Sequence, residues 1–167
     1  TAALEAGTSA DVTLANADFG LMAGTDSTAF ELKNGTFSAT ISGLSSITSD
    51  TVLVRYTDAS TSVSAATTLT VGSTSYTFED EITTNTVAIE AAGFEANVAD
   101  FVSLSGDIGF KKTGTDIIAV GSSVTAALTA GDAVHVSLSN ADFGLMAGTG
   151  STAFELKNGS FSASIDG

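Results

Sequence analysis

The chain has 167 residues, with 19 Asp and Glu against 5 Lys and Arg, so its formal net charge is −14. This charge excludes the cationic surface that binding to nucleic-acid backbones requires, and the absence of Cys excludes disulfides, thiol nucleophiles and zinc fingers. Because only 14% of the residues are charged while 43% are hydrophobic, we expect a buried core rather than a disordered acidic tail.

An internal repeat is the most informative pattern in the chain. Residues 1–43 match residues 125–167 without a gap at a constant offset of 124, and 32 of the 43 pairs are identical. The sequence therefore predicts three parts: 1–43, the C-terminal-like part of one repeat copy; 44–124, the remainder of a 124-residue period; and 125–167, a second copy of 1–43. Copies this similar are typical of arrays of repeated units.

Apolar and polar residues alternate along most of the chain, as they do in β-strands. In chain order, the alternating runs are 30–41, 52–56, 69–78, 87–89, 94–98 and 134–138. Clusters of Gly, Asn, Asp and Ser separate these runs, as turns require. A helix is possible only over 88–99, where Gly93 interrupts the pattern. We therefore predict an all-β fold.

The pair Asn34-Gly35 is the sharpest turn signal in the chain. A two-residue Asn-Gly turn would close a β-hairpin and place Leu32 opposite Phe37. The second copy repeats the same pattern around Asn158-Gly159. The sequence therefore predicts one hairpin in each copy.

Two architectures built from short antiparallel strands and hairpins fit this pattern. In the first, the repeats form a stacked, solenoid-like array in which each layer covers the next. In the second, each period closes as a tandem β-sandwich bead. The absence of Pro favours unbroken ladders of backbone hydrogen bonds, and thus the stack.

The repeated segment supplies eight large apolar residues that we expect to form a core or docking face. An incomplete sandwich would leave several of them exposed at an end of the array, where they could contact a neighbouring unit. The eight are Phe19, Phe30, Leu32, Phe37, Phe143, Phe154, Leu156 and Phe161.

The sequence shows no catalytic constellation, and we expect no enzyme activity. The sole histidine, His135, corresponds to Asp11 in the first copy, so a catalytic site would not be shared between copies. Calcium is the one possible cofactor, because carboxylates in turns are suitable hard ligands. The candidate ligands are Asp18, Asp142, Glu79, Asp80 and Glu81. For Asp18 and Asp142, an Asx-type turn or a bulge is the simpler interpretation.

Four features of the chain carry a resemblance to known proteins. They are the composition rich in Thr, Ser, Ala, Gly and Asp, the absence of Cys, the long period, and runs such as LTVGSTSYTF at 69–78. Together they resemble the repeat regions of very large bacterial cell-surface or secreted proteins of the adhesin and matrix type. The resemblance implies an extracellular or cell-surface location and a role as spacer, fibre or surface coat.

We therefore expect a non-enzymatic structural repeat that docks onto neighbouring repeats or self-associates into an array. The alternative is an adhesin module, stiffened by calcium, that binds carbohydrate or another cell. Tyr56 and Tyr76 are its only candidate aromatic contacts. Neither reading involves nucleic acid. We also expect no membrane-embedded segment, because nowhere do 18 apolar residues run together.

Overall fold

The computed structural model describes residues 1–6, 10–41, 44–58, 60–98, 101–113, 115–131, 134–149 and 151–165. Thirteen strands occur in these residues: β1 (Ala2–Ala6), β2 (Ala10–Ala15), β3 (Asp18–Ala23), β4 (Thr28–Ile41), β5 (Leu44–Thr57), β6 (Thr68–Val71), β7 (Thr74–Thr77), β8 (Thr86–Val98), β9 (Val102–Thr113), β10 (Asp116–Ala130), β11 (Val134–Gly148), β12 (Ser151–Lys157) and β13 (Ser160–Ile165).

Eleven of these strands form one antiparallel sheet in the order β1, β2, β4, β5, β8, β9, β10, β11, β12. Strand β3 lies beside β4 in line with β2, and β13 lies beside β11 in line with β12. The prediction of an all-β fold is thus confirmed. Within the described ranges, no helix is long and apolar enough to cross a membrane.

Most alternating runs of the sequence lie in strands as expected. The run 88–99, where a helix was possible, lies almost wholly in β8. Strands β6 and β7, within the run 69–78, form a hairpin across the turn at Gly72, which has a φ of 62°. Alternation is therefore a reliable guide to the strands of this chain.

The predicted hairpin at Asn34-Gly35 is wrong. Strand β4 runs straight through this pair, with β3 beside its first half and β2 beside its second half. Asn34 alone of the pair has a positive φ, 61°, so the pair lacks the type I′ geometry that Asn-Gly hairpin turns adopt. In the second copy, Asn158 lies between β12 and β13, and both of these strands pair with β11. The pair interrupts the ladder in each copy, and in the first copy it forms a β-bulge against β5.

These interruptions belong to a line of irregular positions that crosses the sheet. Along β4, for example, the apolar positions change from even numbers at Phe30 and Leu32 to odd numbers at Phe37 and Ala39. A bulge inserts one extra residue, so both sets of side chains stay on one face. Residues with positive φ on this line are Asn16, Asn34, Gly93, Gly106, Ser123, Asn140 and Asn158.

The buried core lies on the opposite face of the sheet, under residues 60–85, which we call the cap segment. This segment carries the β6–β7 hairpin, and its Val63, Phe78 and Ile82 pack on Ala29 of β4. Backbone hydrogen bonds of 2.9 Å join Val63 and Ile82 in both directions. The two ends of the cap segment are therefore joined by backbone hydrogen bonds, and the segment covers one face of the sheet at β3 and β4.

Replacement of Phe78 by Ala should lower the free energy of unfolding by about 3–5 kcal/mol, because the side chain is completely buried. Phe161→Ala is the matched control: this side chain is 72% exposed, and its loss should cost less than about 0.5 kcal/mol. Urea unfolding followed by far-UV circular dichroism measures both values. Equal losses in the two variants would contradict the location of the core.

Candidate functional site

The cap segment encloses the carboxylate of Glu31, whose side chain is 0% exposed. Arg55 Nε donates a hydrogen bond of 2.7 Å to Oε2, and the Tyr76 hydroxyl donates one of 2.9 Å to Oε1. The backbone N–H of Glu79 approaches Oε1 at 3.3 Å. A buried charge needs such partners, so Glu31 ties β4 both to β5 and to the cap segment.

Strand alternation explains how Glu31 reaches this position. It lies between Phe30 and Leu32 in β4, so its side chain points to the face opposite theirs. The pairing register sets Arg55 of β5 directly beside it and Gly20 of β3 on the other side. The three residues therefore form a row across neighbouring strands.

Arg55 links Glu31 to the acidic end of the cap segment. Its Nη2 donates a hydrogen bond of 2.8 Å to Asp80, and Glu90 lies 3.9 Å from Nη1. Burial lowers the pKa of Arg55, but the hydrogen bonds and charges of Glu31 and Asp80 outweigh this effect and raise it overall. Arg55, the single arginine of the chain, is therefore a permanent cation at this junction.

Tyr76 sits on a surface formed by Gly20, Glu31 and Lys33, which we call the tyrosine seat. A methyl group on Gly20 would overlap the ring. Lys33 Nζ lies 5.1 Å from the ring centroid and donates a hydrogen bond of 2.8 Å to the Thr77 carbonyl. Burial and the hydrogen bond to Glu31 raise the pKa of Tyr76, so the hydroxyl stays protonated as a donor.

The predicted calcium ligands are distributed over several contacts. Asp18 accepts a hydrogen bond of 2.9 Å from Asn34, and Asp142 accepts one of 2.7 Å from Asn158. Glu79 contacts Lys33, Asp80 contacts Arg55, and Glu81 is exposed. No group of three or more His, Asp or Glu among the described residues is placed to hold a metal ion. Calcium binding stays a prediction.

The eight residues predicted as a core or docking face all lie on the face of the sheet opposite the cap segment. The half-buried members are Phe30, Leu32, Phe37 and Phe143, and the exposed members are Phe19, Phe154, Leu156 and Phe161. This face is thus largely open, whereas the packed core lies beneath the cap segment.

An open cavity of about 520 Å³ lies beside the cap segment on the covered face. Its lining includes the charged residues Arg55, Glu81, Glu90, Asp107 and Lys111 and the apolar residues Ile118 and Val120. His135 is exposed on β11 and does not line it.

Sequence reasoning missed the tyrosine seat. It treated Tyr76 as a candidate exposed aromatic and did not consider Glu31 or Arg55. The single arginine of the chain was the one available signal, because Glu31 occupies an ordinary polar position of the alternating strand. Which acid that arginine meets depends on strand order, which alternation does not specify.

The two equivalent glycines Gly20 and Gly144 should respond differently to a methyl group. Gly20→Ala forces the Tyr76 ring away and should lower the free energy of unfolding by about 1–3 kcal/mol. Gly144→Ala meets no described atom within 4 Å and should raise it by about 0.5 kcal/mol, because glycine weakens a strand interior. Chemical denaturation of the two variants tests this difference. Destabilisation of equal size would contradict it.

Stability should fall in acid partly through Asp142. The hydrogen bonds from the Asn158 side chain and the Ser123 backbone lower the pKa of this carboxyl below its ordinary 3.8. Its contribution is therefore complete above pH 3.8 and is lost as the pH falls through the lower folded-state pKa. Asp142→Asn should flatten the dependence of the unfolding free energy on pH below 3.8, the ordinary pKa of the carboxyl. An unchanged dependence of the unfolding free energy on pH would contradict this prediction.

Comparison with known proteins gives no family for this chain. No family model, no curated protein and no solved structure matches it. The two copies of residues 1–43 within the chain are thus the comparison on which its function is argued.

Proposed function

We propose that the protein is a non-enzymatic structural repeat of an extracellular fibre, spacer or surface coat, in which successive repeats join through one continuing β-sheet. The observation that carries the proposal is the identical pairing of both copies at opposite ends of the sheet. Leu14 pairs with Phe37 in the first copy, and Leu138 pairs with Phe161 in the second. The extracellular location rests on the compositional resemblance.

Local details support the equivalence of the two copies. Asn16 and Asn140 have φ angles of 56° and 53°, and Asn34 and Asn158 have φ angles of 61° and 62°. The contact between Asp18 and Asn34 recurs 124 residues later. Residues at this offset therefore form the same bulged ladder, as repeat units of one array do.

The two edges of the sheet are complementary in this scheme. Strand β4 pairs with β5 on its far side, but its second copy, β12 with β13, pairs only with β11 among the described strands. At the other edge, β1 corresponds to the last third of β10, which pairs with both β9 and β11. Unpaired edges of this kind add further strands readily.

The charge of the chain supports an extended array. At −14 per chain, neighbouring units repel one another, which disfavours collapse and keeps a long array dissolved. At 0.1 M salt, repulsion between exposed charges is largely screened beyond a distance of roughly 10 Å. Joining by backbone hydrogen bonds at the edges requires no charge of opposite sign.

Adding one more period tests the proposal. A second copy of residues 44–167 placed after Gly167 should slow hydrogen exchange in β12 and β13, because β5 of the added copy pairs with them. The maximum dimension from small-angle scattering should grow by about 29 Å, six strand spacings.

The matched control carries Val54→Pro in the added copy alone. Proline removes a backbone donor and blocks continuous pairing, so the protection of β12 and β13 should shrink. Exchange in β12 and β13 that matches the shorter chain would argue for independent beads and against the proposal.

A further inference from the structure

The tyrosine seat exists twice in this chain. Gly20, Glu31 and Lys33 recur at the offset of 124 as Gly144, Glu155 and Lys157, although 11 of the 43 positions of the repeated segment differ. The pairing is also the same, because Gly20 faces Glu31 and Gly144 faces Glu155 across their strands. The second set therefore has the backbone geometry of the first.

The two seats differ in what covers them. Tyr76 covers Gly20 and Glu31, whereas a methyl group on Gly144 would meet no described atom within 4 Å, and Glu155 is exposed. An open cavity of about 340 Å³ lies over the second seat, and Gly144, Glu155 and Lys157 line it together. The second seat is a concave surface with both charges in place.

The apolar residues around the two seats differ in exposure in the same way. Ala29 is completely buried beneath the cap segment, but its equivalent Ala153 is exposed. Met22 packs against the same core, while Met146 is 51% exposed. The apolar surface that the cap segment covers in the first copy is thus open in the second.

Glycine in the interior of a strand weakens that strand unless another group needs the space. At Gly20 the Tyr76 ring occupies that space. At Gly144 the described residues leave that space free, so a group from outside them can approach this backbone closely. The matching charges of Glu155 and Lys157 indicate the same occupant.

We propose that the seat of Gly144, Glu155 and Lys157 is a docking site for a second copy of residues 44–85, supplied by a following repeat. In that complex the second Arg55 pairs with Glu155, and the second Tyr76 ring lies on Gly144. Lys157 lies beside that ring, as Lys33 does in the first copy. The inference rests on the proposed function and names the partner of its free edge.

A chain extended by residues 44–85 tests the docking. The segment is placed directly after Gly167, because Gly43 precedes Leu44 in the first copy. In this extended chain, Glu155→Gln should raise the unfolding equilibrium constant on the order of 100-fold, as loss of one partner of a buried ion pair does. In the original chain the same substitution should change it less than about twofold, because Glu155 is exposed there.

Two further variants make the result specific. Gly144→Ala should destabilise the extended chain and leave the original chain folded, because only the added Tyr76 needs the space. Glu31→Gln, at the first seat, should destabilise both chains to a similar degree and serves as the positive control.

Hydrogen exchange separates this inference from the proposed function. Protected β12 and β13 with no effect of Glu155→Gln or Gly144→Ala would overturn the docking and leave the continuing sheet intact. Unprotected β12 and β13 would overturn the continuing sheet as well. If β12 and β13 are protected and both Glu155→Gln and Gly144→Ala destabilise the extended chain, the docking is supported. This result also excludes an unrelated partner as the required occupant of the seat.

Discussion

The burial of the Glu31 carboxylate is the constraint on which the covered half of the sheet depends. A carboxylate removed from water is tolerated only where cations and hydrogen-bond donors surround it. Arg55 supplies the charge from β5, and Tyr76 supplies a hydroxyl from the cap segment. One side chain of β4 thus fixes the position of a neighbouring strand and of the hairpin above it. Phe78 packs against the Tyr76 ring and joins this cluster to the apolar core.

The line of bulges is the second organising feature, because it keeps the apolar side chains of long strands on one face. Without an extra residue near Asn34, Phe30 and Phe37 would project from opposite faces of β4. Asn tolerates the positive φ that such positions require, which explains its recurrence at Asn16, Asn140 and Asn158. The same local chemistry suits a hairpin turn. Bulge and turn therefore share one sequence signature and differ in the strands that lie nearby.

The two copies of the repeated segment supply an internal reference for function. Both fold into the same ladder, so differences in burial between identical residues of the two copies report on their neighbours. The first copy has β5 and the cap segment beside it, and its charged and small residues contact these neighbours. The second copy presents the same residues on an open edge. This contrast is the physical basis for the proposed role in assembly.

Alternation, composition and the internal repeat by themselves determined the all-β class, the positions of most strands and the offset of 124 between copies, because these patterns can be read directly from the order of the residues. They did not determine which strands are neighbours, so the meeting of Glu31, Arg55 and Tyr76, up to 45 residues apart, stayed hidden. They also gave Asn34-Gly35 the wrong role. Only the tertiary structure decided these points, because the partner of a buried charge and the path of a strand through a bulge depend on residues distant in the chain.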